Sequence, residues 1–158
     1  MVIHPIEPVY DTNSRILILG SFPSVRSREE MFFYGHPRNR FWRVLASVFD
    51  CPLPQTVEEK RSFLLAHQIA LWDVIASCEV HASADSSIQN VIPNDLSGIL
   101  SAARIDRIFV NGKTAYRYYK QYQQDITSCE AVCLPSTSPA NAVWSLDDLI
   151  KAWSVVKQ

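Results

Sequence analysis

Short β-branched and apolar runs alternate along this chain with stretches whose apolar residues recur at helical spacing, and that alternation constrains the fold more than any other feature. It implies an α/β domain with a mostly parallel sheet, because parallel strands need crossovers and helices supply them. The first strand is RILILG at 15–20, a continuous apolar run suited to a strand covered on both faces. Further strands are expected at 69–75, 105–110 and 131–134. Helices are expected at 38–49, 57–66, 96–103, 114–123 and 145–156. The first of these sets Phe41, Trp42, Leu45, Val48 and Phe49 on one face behind His36 and Pro37. The last carries Asp147 and Asp148 in its first turn, where the helix dipole favours them. No repeat or linker divides the 158 residues, a length that one core can serve, so a single domain over 1–158 is expected. Ligands of open parallel sheets bind at the carboxyl ends of the strands, which directs attention to the loops after Gly20, Ile75, Val110 and Leu134.

Several function classes are disfavoured. A net charge of −1 argues against a general polyanion coat, while leaving room for a local basic patch. The cysteines at 51, 78, 129 and 133 form no CxxC pair and follow no secretory signal. They read as reduced thiols of a cytoplasmic protein, with no disulfide framework, zinc ribbon or iron–sulfur cluster. No apolar run approaches the roughly 18 residues of a membrane span. There is no GxGxxG, and Gly112-Lys113-Thr114 imitates the end of a Walker A motif with Arg107 where its first glycine belongs. No GxSxG elbow occurs either.

Two loops carry chemistry. MFFYGHPRNRFW at 31–42 places three aromatics before a proline and the polar trio Arg38, Asn39 and Arg40. These residues could simply cap the core and start a helix. They could also form a base-stacking platform beside polar groups: between 26 and 43, Arg26, Arg28, Arg38, Arg40 and Arg43 oppose only Glu29 and Glu30, an excess that suits a phosphate backbone. LPSTSPANA at 134–142 is either an ordinary strand-to-helix turn or a stiff loop whose hydroxyls meet phosphates or a groove.

Taken together, GSFPS at 20–24, FYGHPRNRFW at 33–42, LWDVIASCEV followed by DSSI within 71–88, VNGKTAY at 110–116 and LPSTSPANA at 134–142 resemble the uracil-DNA glycosylase superfamily, closest to its hypoxanthine (deoxyinosine) branch. The resemblance implies a three-layer α/β/α sandwich around a four-stranded parallel sheet. It also implies an enzyme that flips a damaged base out of DNA and hydrolyses its N-glycosidic bond. By position, Gly20, Ser21, Phe22, Pro23 and Ser24 would floor the base pocket, and Tyr34, with Phe33, would stack on the base. Asp73 and Asn111 would meet its edge. Arg26, Arg38, Arg40, Arg43, Ser136, Thr137, Ser138 and Pro139 would contact DNA.

The chain departs from uracil-cleaving relatives at two places: Phe22 and Leu134 stand where those families keep polar helpers. The resemblance to the hypoxanthine branch makes Asn39 the expected catalytic residue, able to position water or hydrogen-bond the departing base. No lysine lies in the pocket segments, so no lyase step is expected. The implied protein is a monomer acting on duplex or single-stranded DNA without metal or cofactor. The competing readings are a uracil or mismatch glycosylase of the same superfamily and a non-catalytic lesion-binding module.

Overall fold

The computed structural model describes residues 1–80 and 88–157. In chain order the elements are β1 (Val2–Ile3), β2 (Ile16–Gly20), α1 (Val25–Glu30), α2 (Phe41–Val48), α3 (Val57–Ala66), β3 (Ile69–Asp73), β4 (Ile75–Val80), β5 (Ile88–Pro93), α4 (Ser97–Ala102), β6 (Arg107–Asn111), α5 (Lys113–Tyr122), α6 (Gln124–Thr127), β7 (Ala131–Leu134) and α7 (Leu146–Trp153), which runs into a 3-10 turn at Ser154–Lys157. Four strands form the expected parallel sheet in the order β3-β2-β6-β7.

Every residue of β2 is buried, as its unbroken apolar run demands. Side chains alternate across a strand, so the run splits between two cores. Ile16 and Ile18 join the cluster built by α2, α3 and α7, with Leu45, Leu64, Leu149 and Trp153 at its centre. Leu17 and Leu19 join the opposite cluster, which holds Ile99 of α4 and Ala115 and Tyr119 of α5. Helices therefore cover both faces, and the α/β/α sandwich is present. None of the helices among the described residues is long and apolar enough to cross a membrane.

Two departures from the sequence expectation matter for the site. The helix expected at 38–49 begins only at Phe41, so Pro37, Arg38 and Asn39 lie in the preceding turn rather than in a first helical turn. The strand expected at 69–75 leaves the parallel sheet at Asp73. Val74 and Ile75 then donate their N–H groups to the carbonyls of Gly20 and Ser21, and the chain turns away into β4. There β1, β4 and β5 make a second, antiparallel sheet that the sequence reading did not anticipate. Helices α1 and α6 were likewise not expected.

Candidate active site

The carboxyl edge of the parallel sheet gathers the candidate residues into two connected groups. In the first, Gly20 ends β2 directly beside Asp73, the last residue of β3. A Cβ at position 20 would fall on Asp73 Oδ1 and on the Tyr34 hydroxyl, so the close approach of these three residues requires glycine. Asp73 is buried, and its Oδ2 lies 2.7 Å from His4 Nε2. The N–H of Ile6 donates to His4 Nδ1 at 3.2 Å, which makes Nδ1 an acceptor and puts the ring proton on Nε2, pointing at the carboxylate. The imidazole stands among Phe22, Phe33 and Trp72. His4 escaped the sequence reading because it lies 69 residues from its partner. The one signal was a histidine ahead of a short apolar stretch.

Tyr34 adopts φ 54°, the left-handed region that a bulky residue enters only under constraint. Its ring stacks on Phe41 at 4.0 Å between centroids and 18° between planes, and it stays partly exposed. Phe33, expected to help stack the base, is instead buried in the core against Phe32, with its carbonyl accepting the Trp42 indole N–H; it is no platform. Tyr34→Ala is expected to weaken processing of a flipped purine by roughly 1–3 kcal/mol. Loss of the Phe41 stack adds about 0.5–1.5 kcal/mol of destabilisation, and the chain should still fold. Excision rates and melting of Tyr34→Ala beside Tyr34→Phe check this, since phenylalanine keeps the Phe41 stack and offers the same ring to a base.

The second group is a chain of hydrogen bonds. Asn39 Oδ1 accepts from the Phe41 N–H at 3.0 Å and from the Thr137 hydroxyl at 2.9 Å. Thr137 in turn donates its N–H to Asn111 Oδ1 at 3.1 Å, and its hydroxyl oxygen accepts from Asn111 Nδ2 at 3.0 Å. Asn111 ends β6 and is buried, so this amide faces Thr137. Thr137 has no exposed surface; its expected place as a DNA contact is corrected to an internal one.

Around these groups the expected DNA-facing residues divide. Arg40 spends its guanidinium inside the molecule, donating to the carbonyls of Trp144 (2.5 Å), Asn141 (3.1 Å) and Ser138 (3.3 Å). It straps the 138–144 loop to the Asn39 turn, and this replaces the phosphate contact expected of it. Arg26 pairs with Glu30 at 2.7 Å on the surface. Arg38 and Arg43 are exposed, and their guanidinium groups have no hydrogen bond or ion pair among the described residues. Ser136 and Ser138 accept from backbone N–H groups two residues on, and Pro139 is exposed.

In the 20–24 segment Pro23 is buried, Phe22 is half-buried and Ser24 caps α1 by accepting from Ser27. Leu134 points into the core. Asp85, Ser86 and Ser87 of the DSSI motif lie outside the described residues. Replacing Arg38 or Arg43 by alanine should each lower the salt slope of duplex binding by about one unit, measured by titration at several salt concentrations.

Comparison with known proteins bears on this edge of the sheet. Residues 7–157 match the family model of the uracil DNA glycosylase superfamily. A hypoxanthine DNA glycosylase of Methanosarcina acetivorans is 36% identical over 139 residues, 87% of each chain. A hypoxanthine DNA glycosylase of Methanosarcina barkeri is 34% identical over 113 residues, 70% of this chain and 72% of that one. The solution NMR structure of a Methanosarcina acetivorans protein, described as a candidate uracil DNA glycosylase, superimposes with a TM-score of 0.81 at 30% identity, covering 99% of this chain and all of that one. The match spans the strand ends that carry Gly20, Asp73 and Asn111 as well as the helices behind them, and the chain belongs to the uracil DNA glycosylase superfamily.

Proposed function

We propose that this protein is a monofunctional DNA glycosylase that flips hypoxanthine (deoxyinosine) out of DNA and hydrolyses its N-glycosidic bond, working as a cytoplasmic monomer. The observation that carries the reading is that the carboxyl edge of one sheet holds both the Asn39 amide, bonded to Thr137, and the Asp73 carboxylate, fixed by His4. Hypoxanthine presents an N1–H donor beside its O6 acceptor. A carboxylate accepts from that N–H, whereas adenine offers a ring lone pair at the same place and is repelled. The two Methanosarcina relatives named for hypoxanthine support the same substrate.

In this reading Tyr34 stacks on the extruded base, offsetting part of the few kcal/mol lost on unstacking. The 134–142 loop lies against the groove the base has left. Asn39 is the catalytic side chain and Asp73 serves the base edge, while Asn111, expected beside it, is turned to Thr137 and acts through it. Uracil is the second substrate to weigh, because the solved neighbour is described as a candidate uracil DNA glycosylase. Against it stand the apolar Phe22 and Leu134, which supply no polar helper.

Base release from matched duplexes and single strands containing inosine, uracil, xanthine or a G:T mismatch tests the proposal. Release of hypoxanthine should exceed release of uracil. Faster uracil or thymine release would favour the alternative enzyme, and tight inosine-duplex binding without release would make the protein a lesion-binding module.

A further inference from the structure

The hydrogen bonds around Thr137 leave no freedom in how the Asn39 amide is turned. Two backbone N–H groups, which can only donate, fix the pattern from its two ends. The Phe41 N–H requires the oxygen of Asn39 on its side, and the Thr137 N–H requires the oxygen of Asn111 on its own. Asn111 must therefore aim Nδ2 at the Thr137 hydroxyl, which accepts that bond and has its single proton left for Asn39 Oδ1. The carbonyl of Asn39 thus accepts twice within the protein. Its Nδ2 donates to no group among the described residues, and Asn39 is partly exposed.

The geometry points to Thr137 as a positioning residue that holds Asn39 as a hydrogen-bond donor to the departing base. This inference rests on the hypoxanthine glycosylase reading and narrows it. A water molecule is made more nucleophilic by a group that accepts its proton, and the carbonyl that could do so is occupied. Donation from Nδ2 instead favours the state in which the C1′–N9 bond has broken and its electron pair has moved onto the purine. The sugar is then an oxocarbenium ion. Water forms the new C1′–O bond, and the proton it sheds ends on the base, so the products are free hypoxanthine and an abasic sugar. Asn39 gives up no proton at any stage.

Single-turnover release of hypoxanthine from an inosine duplex, measured with duplex binding and melting, tests the assignment. Thr137→Val keeps the shape and removes the hydroxyl, so release should slow by about a hundredfold, the scale of a misplaced catalytic group, with binding nearly unchanged. Thr137→Ser should restore most of the rate. In an Asn39→Ala background Thr137→Val should cost nothing more, because the relay then has no amide to hold. Asn39→Asp decides the donor role even if Thr137→Val does not fold: the carboxylate accepts the same two hydrogen bonds and lacks only the Nδ2 donor, so its rate should fall to that of Asn39→Ala. Asn39→Asp at or above the unaltered rate would overturn the donor role. Thr137→Val at full rate beside a slow Asn39→Ala would overturn the relay and leave the hypoxanthine reading standing. Full activity in Asn39→Ala would overturn the reading beneath both.

Discussion

Asn39→Ala is expected to slow base release by about 3–4 kcal/mol of lost transition-state stabilisation, a factor of several hundred, with duplex affinity largely kept. The size is that of removing one preorganised donor from the point where charge accumulates, the role proposed for Asn39. A second, smaller loss accompanies it. Asn39 Oδ1 also accepts the Phe41 N–H at the start of α2, and losing such a hydrogen bond typically costs about 1 kcal/mol of stability. For a domain of this size that is a melting shift of roughly 2–4 °C. Single-turnover rates and melting curves on the same sample separate the two losses. A folded variant that excises at the normal rate would reduce Asn39 to a structural hydrogen bond at the start of α2.

His4→Ala should be the most destabilising single change in the site. Both members of the His4–Asp73 pair are buried, with side chains 2% and 5% exposed, so alanine leaves a carboxylate without its partner in a low-dielectric pocket. Removing one partner of such a pair typically costs about 3–5 kcal/mol, roughly 6–20 °C in melting temperature here. His4→Gln, which offers an amide N–H to the same oxygen, should recover part of it. Thermal melting of the two variants checks the order. Equal melting of His4→Ala and the unaltered chain would mean that Asp73 finds its compensation elsewhere.

The parallel sheet was legible because its strands are short apolar runs, made continuous in β2, β3 and β6 by burial on both faces, while the edge strand β7 keeps the apolar pattern with Val132 and Cys133 exposed. The second sheet was not. In IASCEV and IQNVIP, polar residues interrupt the apolar pattern, and register shifts between the two strands break a regular alternation, so neither stood out as a strand. The placement of candidate residues was legible where they lie close together in sequence, as in Tyr34 and Asn39, which both meet Phe41. It failed where a role depends on burial. Thr137 and Ser138 are adjacent hydroxyl residues of one loop, yet the first is sealed beneath Asn39 and the second is partly exposed. His4 failed for a different reason: nothing local marks a residue whose only distinction is to meet a strand end from the far end of the chain.

The Arg40 strap separates two properties of an arginine that usually travel together. Its two terminal nitrogens donate to three carbonyls, which carry dipoles and no net charge. The guanidinium therefore remains a full cation, held against the 138–144 loop, with no ion-pair partner among the described residues. Phosphates passing within about 8 Å, the screening length at physiological salt, would feel that charge without touching it. The loop thus brings its own stationary attraction for a polyanion, and lysine could not replace it: an ammonium would keep the field but lacks the planar fork that reaches all three carbonyls.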